Sequence, residues 1–217
     1  MKNEKISFVM NEQEIKFIKR KFKKVSNFIP PGSKVLDIGC YDARSKDFFE
    51  DCDYYGVDKD KQLVHLLVKK GMNVKCADLN KDKLPFMKEK FDFVLLLDIL
   101  EHVVDPSKLL NDSKNKLYKK GKLIVTLPND YHLLNKIRFV FNKNLSKDPF
   151  VHYGHLHYFP IKSGEKFLLR NNLKILKRVN LELVTPNFLP QSIMGLICSL
   201  TFNNFVTILS SLLKNIR

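Results

Sequence analysis

The chain predicts an open α/β fold, a mostly parallel seven-stranded sheet with helices on both faces. Three observations predict it. Short apolar runs alternate with amphipathic ones at strand–helix–strand spacing between residues 34 and 129. Residues 91–97 are almost wholly apolar, as a strand covered on both faces must be. Asp37, Asp58, Asp78 and Asp98 each fall where a strand ends, the edge at which open α/β sheets bind ligands.

The elements follow in order. Residues 1–10 read as a loose arm, and Asn11 to Glu14 form a capping-box pattern. Ile15, Ile18, Phe22 and Val25 then recur at helical spacing with lysines opposite, so a helix runs up to Pro30. Strand one is 34–38, followed by a helix over 42–50 that turns Phe48 and Phe49 to the sheet. Strand two is 53–57. Asp60 caps the next helix, and Gly71 stops it. Strand three is 73–77 and strand four 91–97. Asp105 caps and Pro106 opens a helix reaching Lys119. Lys120 and Gly121 turn into strand five, 122–127. A helix over 162–171 and a strand over 174–180 complete the core, which spans 31–184 with 1–30 as a helical extension.

Two stretches stand apart. Residues 129–160 make a connection too long for a plain loop, read as a substrate-covering insertion with a short helix over 133–141. The apolar segment 185–217 offers a helix over 193–202 and then either a last strand over 205–209 or one helix over 202–216. Asn203 and Asn204 leave each half too short to span a bilayer. A packed core element, a dimer face and peripheral membrane contact through 188–217 all remain open for it.

Composition bounds the function. The chain has 217 residues, 44% of them hydrophobic, enough for one domain with additions. The formal charge of +15 invites an anionic partner, but no Arg/Lys stripe alternates with aromatics as a nucleic-acid groove requires. The lysines read as solvated helix faces. Cys40, Cys52, Cys76 and Cys198 lack CxxC spacing, which argues against a zinc site or a disulfide framework and fits a reduced, cytoplasmic compartment. The charged N-terminus is not a signal peptide. Monomer and homodimer are both compatible with the sequence.

The site begins at 34–44. A strand, the Gly39 turn and a helix start make a cradle for a polar ligand, with Asp37 at the strand end. Asp58 lies about twenty residues on, the offset of an acid that hydrogen-bonds a ribose hydroxyl pair.

Val35 to Cys40, Gly56 to Asp58, Ala77-Asp78 and Phe91 to His102 together resemble the class I S-adenosylmethionine-dependent methyltransferases, of Rossmann-like fold, over residues 25–180. The flavour resembles the small-molecule branch of ubiquinone-biosynthesis and glycan-cluster enzymes. The resemblance implies S-adenosyl-L-methionine as cofactor. It sets Asp37, Gly39 and Cys40 against the methionine part, Asp58 on the ribose, Lys59 near the adenine, and Asp78 with Leu79 at the adenine amino group. Asp98 and Ile99 border both cofactor and acceptor, and the N-terminal helix packs on the core or lids the site. The sequence departs from the family at Tyr41 and Ala43, where two further glycines are usual. Ala43 is mild at negative φ, whereas Tyr41 is strained if left-handed. A nicotinamide enzyme would want Gly-x-Gly-x-x-Gly, and the loop reads Gly39-Cys-Tyr-Asp-Ala-Arg44.

Methyl transfer needs the acceptor held in line with the donor methyl and, for a hydroxyl, a base. His102 is the candidate base, with Glu101 to orient it, touch substrate or hold a metal; the alternative is that both only brace the turn before Asp105. His155, after Gly154, reads as a lid or substrate contact, and His157 as a contact for an anionic group. His152, His155 and His157 suggest a metal at first sight, but the resembled family has a Gly-His there without one, and no metal is expected. Tyr131 and Arg138 join the acceptor pocket, whose aromatics and bases suit a phenol, a sugar or a lipid-like molecule. The expected reaction is O-methylation of such a small molecule. The alternatives are a cofactor-binding pseudoenzyme or scaffold, and an N-, RNA or protein methyltransferase; the Asn-Pro-Pro-Tyr signature of base-amine methylation is absent.

Overall fold

In a computed structural model of the chain, residues 12–128, 140, 154–181 and 204–211 are described. The strands are β1 (Lys34–Ile38), β2 (Asp53–Asp58), β3 (Asn73–Cys76), β4 (Phe91–Leu97), β5 (Leu117–Pro128), β6 (Leu173–Leu181) and β7 (Asn204–Ser211). The helices are α1 (Glu12–Ser26), α2 (Lys61–Lys69), α3 (Pro106–Lys114) and α4 (Ile161–Arg170), with 3-10 turns at Arg44–Phe48 and Leu100–His102. The strands form one sheet in the order β3-β2-β1-β4-β5-β7-β6. β3 through β5 run parallel, and β7 lies antiparallel to both β5 and β6.

Alternation along the central strands builds a core on each face. Leu36, Ile38, Val94 and Leu96 point to one side, where Leu109 and Leu110 of α3 and Leu168 of α4 cover them. Val35, Phe93 and Leu95 point to the other, under Val25 of α1 and Val64 and Leu67 of α2. Each such Leu, fully buried, contributes about 1.5–3 kcal/mol. The strand order reverses at β1, which lies between β2 and β4, so a crevice opens beyond the C-terminal ends of β1 and β4.

Three expectations change. The helix over 42–50 is only the 3-10 turn Arg44–Phe48: Ala43 before it is left-handed (φ 57°), and Phe49 after it is extended and buried. The helix expected to reach Lys119 ends at Lys114, and β5 starts at Leu117. Gly121 therefore sits inside a strand rather than in a turn. A Cβ there would lie 2.9 Å from the Phe91 carbonyl, at the place where the β4–β5 register slips. At the C-terminus the strand alternative holds: β7 pairs with two neighbours, and its Leu209 is fully buried. The helices expected over 133–141 (save Val140) and 193–202 lie outside the described residues. Among the described residues no helix is long and apolar enough to cross a membrane.

Candidate active site

The turn after β1 is built from three left-handed residues. Gly39 (φ 79°), Tyr41 (φ 50°) and Ala43 (φ 57°) carry the chain around the rim. The first needs glycine, because a Cβ on it would lie 2.8 Å from Ile99 Cδ1. The other two carry side chains in a region that disfavours L-residues by about 1–2 kcal/mol each. Ala43 thus lies outside the negative-φ region in which replacing glycine is mild, and the strained conformation at Tyr41 is realised. The Asp58 carboxylate holds the turn in place. The Tyr41 amide donates to Asp58 Oδ2 at 2.8 Å, and the Asp60 amide donates to Oδ1 at 3.0 Å. Each Asp58 oxygen has two lone pairs, so these bonds leave acceptor capacity toward a ligand hydroxyl pair.

Asp37 lies beneath the turn, 2% exposed. Ser45 Oγ and Tyr54 Oη donate to its Oδ2 at 2.5 and 2.9 Å. Burial pushes its carboxyl upward, opposed by those two hydroxyls. Cys40 faces Gly56, where its sulfur fills the space a Cβ would need, and burial pushes its thiol strongly upward. It is a packing group whose backbone, not its sulfur, belongs to the turn. A cleft of about 180 Å³ opens between α1 and the turn, lined by Lys21 and Phe22 on one side and Asp37, Gly39, Tyr41 and Arg44 on the other.

Asp98 follows β4 in a left-handed conformation (φ 53°). Its amide donates to Thr126 Oγ1 at 2.8 Å, and that hydroxyl donates back to Oδ1 at 2.5 Å. Lys21 Nζ reaches Oδ2 at 2.7 Å. Burial alone would raise the Asp98 carboxyl, but Lys21 and Thr126 outweigh it and hold it below the usual range.

The 3-10 turn after β4 carries Glu101, buried, and His102, half-buried. The amides of Leu156 and His157 donate to the Glu101 carbonyl at 2.7 and 3.2 Å, which pins residues 156–157 to this turn. His102 Nδ1 lies 3.2 Å from the Gly154 carbonyl. A carbonyl only accepts, so Nδ1 carries the proton and Nε2 keeps its lone pair. Burial lowers the His102 pKa, opposed by this hydrogen bond. The His155 ring meets the His102 ring edge-on at 4.9 Å. One donor atom each from Glu101, His102 and His155 lies within 4.8 Å of the others.

The structure thus brings Asp37, Gly39, Cys40, Asp58, Asp98, Ile99, Glu101, His102 and His155 to one edge of the sheet. Two of the expected contact residues also have partners within the protein. His157 Nε2 donates to the Val103 carbonyl at 2.9 Å, so that nitrogen braces the turn. Asp78 caps its own loop, accepting from the Asn80 amide at 3.0 Å with Lys81 at 3.5 Å, and that amide bond lowers its pKa. Leu79 packs against the core and Lys59 is exposed. Tyr131, Arg138 and His152 lie outside the described residues. Sequence reading passed over Lys21 and Thr126. The signals were a lysine one helical turn from Ile18 and Val25 on the apolar stripe of α1, and a lone hydroxyl inside the apolar run of β5.

Comparison with known proteins gives the same fold. A family model described as methionine biosynthesis protein MetW matches residues 19–201. Two uncharacterized proteins of Methanocaldococcus jannaschii are 33% and 32% identical over 82 and 138 residues, which cover 38% and 62% of this chain and 39% and 57% of theirs. The chain thus spans well under two thirds of these relatives. Among solved structures, an S-adenosylmethionine-dependent methyltransferase of Thermotoga maritima superposes with a TM-score of 0.61 at 22% identity, covering 92% of this chain and 94% of that one. The [4+2]-cyclase SpnF superposes at 0.64 and 14% identity, covering 94% and 84%. The fold is that of the class I methyltransferases.

Proposed function

The chain belongs to the family described as methionine biosynthesis protein MetW, and from that premise we propose that it is an S-adenosylmethionine-dependent methyltransferase that O-methylates a small molecule. The observation that carries the reading is the meeting of the Gly39 turn, Asp58 and Asp98 at the edge where the strand order reverses. The residues fit this cofactor. The absence of a Cβ at Gly39 leaves the turn close against Ile99, a carboxylate stands at the end of β2, and a cleft of about 180 Å³ lies beside them.

Asp58 would hold the ribose hydroxyls and the backbone of Gly39 and Cys40 the methionine part, with Lys59, Asp78 and Leu79 bordering the adenine. When bound, the cofactor supplies an electrophilic methyl on a sulfonium. The chain's own work is then to position the acceptor oxygen and take its proton. His102 Nε2 is the base in this reading, its tautomer set by the Gly154 carbonyl. His155 closes over the acceptor, while Glu101 fixes the covering segment through its carbonyl. Tyr131 and Arg138 complete the pocket by proposal, in a cytoplasmic enzyme whose 188–217 segment touches membranes peripherally or not at all. The same cluster supports a second reading, in which Glu101, His102 and His155 hold a divalent cation that ionises the acceptor.

Incubating the purified protein with labelled methyl donor and a metabolite extract, then identifying products by mass spectrometry, tests the activity. The expected result is one labelled O-methyl product, unaffected by chelator. Loss of product on chelation would move the reading to the cation. Cofactor binding without any methylated product would favour a scaffold or a different chemistry on this fold, as the likeness to a [4+2]-cyclase illustrates.

A further inference from the structure

Tyr41 holds an aromatic side chain in a left-handed conformation (φ 50°), which disfavours any residue with a Cβ. Burial does not offset that cost, because the residue is 50% exposed. Strain that packing leaves uncompensated gathers at functional places. Tyr41 also lines the cleft beside the Gly39 turn. A residue that lines a cleft and is half open to solvent stands at its mouth.

Two contacts fix the residue there. Its amide donates to Asp58 Oδ2 at 2.8 Å, so its backbone is tied to the acid proposed to hold the ribose. Its ring lies against the Arg44 guanidinium, with Cζ 5.7 Å from the ring centroid. Arg44 is held in turn by Asp42, its Nε donating to the two carboxylate oxygens at 2.7 and 2.8 Å. Tyr41, Arg44 and Asp42 therefore form one braced lip, and all three line the cleft. The facing wall is α1, with Ile18, Lys21 and Phe22. That wall is anchored: Val25 is fully buried, and Phe22 packs on Phe48 with ring centroids 5.6 Å apart. An entrance between an anchored helix and a braced side chain opens most readily on the side-chain side, where a single exposed cation–π contact has to break.

We infer that the Tyr41 ring is an exchange gate at the mouth of this cleft, latched by Arg44, which slows entry and release of the nucleoside alike. The inference rests on the cofactor reading above and adds to it the control of exchange. Glycine at this position would relax the turn and leave the mouth open. Some stability is thus given up for slower exchange, a trade that active sites commonly show.

Surface plasmon resonance with S-adenosylhomocysteine over the immobilised full chain reads both rate constants. Tyr41→Gly should raise association and dissociation together by about 2- to 5-fold, the factor one exposed cation–π contact imposes, and leave Kd within about twofold. A steric gate changes both rates by the same factor, whereas a contact to the bound ligand changes release. Tyr41→Phe keeps the ring and should keep the wild-type rates. Tyr41→Asn removes the ring but tolerates the left-handed conformation, and it should match Tyr41→Gly. Arg44→Met leaves the ring without its latch and should speed both rates as well. Unchanged rates in Tyr41→Gly would overturn the inference. Faster release with unchanged association would also overturn it, since the ring would then be a binding contact. Wild-type rates in Tyr41→Asn would assign the effect to the backbone and overturn the gate, and wild-type rates in Arg44→Met would overturn the latch. Failure of the wild type to bind would remove the cofactor reading too, whereas binding with unaltered rates in the variants removes the gate alone.

Discussion

The rim of the sheet has two halves that are held in opposite ways. After β1 and β2, the chain is held by the Asp58 carboxylate on backbone amides and bends through Gly39, Tyr41 and Ala43, all left-handed. After β4, it is held by backbone carbonyls: that of Glu101 accepts from the 154–157 segment, and that of Gly154 accepts from His102. The first half is local and strained, made within about twenty residues of sequence. The second joins residues 52 apart, and its left-handed non-glycine residue among the described ones is Asp98 (φ 53°). Two left-handed side-chain-bearing residues thus lie on the half proposed to bind the donor against one on the other half, where the proposed proton chemistry sits.

The sharpest way to break this division is at His102. His102→Ala should lower turnover by about 10²–10⁴-fold and leave S-adenosylhomocysteine affinity nearly unchanged. Near-normal turnover, measured on an accepted substrate, would remove it as base. Asp58→Ala attacks the other half. It should weaken cofactor binding by about 1.5–3 kcal/mol, the scale of lost charge-assisted hydrogen bonds, with kcat on saturating cofactor little changed. The lost partner of the Tyr41 amide should lower thermal stability as well. A variant with intact affinity would show that Asp58 serves only the turn.

Tyr41→Gly is predicted to gain rather than lose. Relief of a left-handed side chain is worth about 1–2 kcal/mol, and glycine's greater unfolded entropy returns about 0.5–1, leaving a net gain of about 0–1.5 kcal/mol in denaturant unfolding. Gly39→Ala should do the reverse, because Ile99 stands 2.8 Å from the new Cβ. Smallest is the pH effect on stability. The His102 pKa is lowered in the fold, so below about 6.5 the unfolded chain binds more protons at this group and stability falls as pH drops. The same shift moves the acid limb of the rate profile below the ordinary imidazole value, instead of to it. His102→Ala should flatten that part of the stability curve.

How far these two halves were legible before any coordinates follows from the same division. Strand ends, Gly39, Asp58 and the apolar β4 show in the sequence because each depends on neighbours close in the chain. The 3-10 turn in place of a helix over 42–50 was not legible. Its cause is the conformation of Ala43, a residue with no intrinsic reason to be left-handed. The end of α3 was missed because Lys120-Gly121 reads as a turn, whereas Gly121 is needed where β5 passes the Phe91 carbonyl. The bond from His157 to the Val103 carbonyl was not legible, because the two residues lie 54 apart in the sequence. Lys21 was hidden by the rule that lysines on an amphipathic helix face solvent. Its partner, Asp98, lies in another element and far along the sequence.

The central claim is that the edge formed by Gly39, Asp58 and Asp98 binds S-adenosylmethionine. Titration calorimetry of the full chain with S-adenosylmethionine tests it most directly. The account predicts saturable binding at one site per chain, weakened by about 1.5–3 kcal/mol in Asp58→Ala. Absence of any binding heat at millimolar ligand, with the protein folded by circular dichroism, would contradict it.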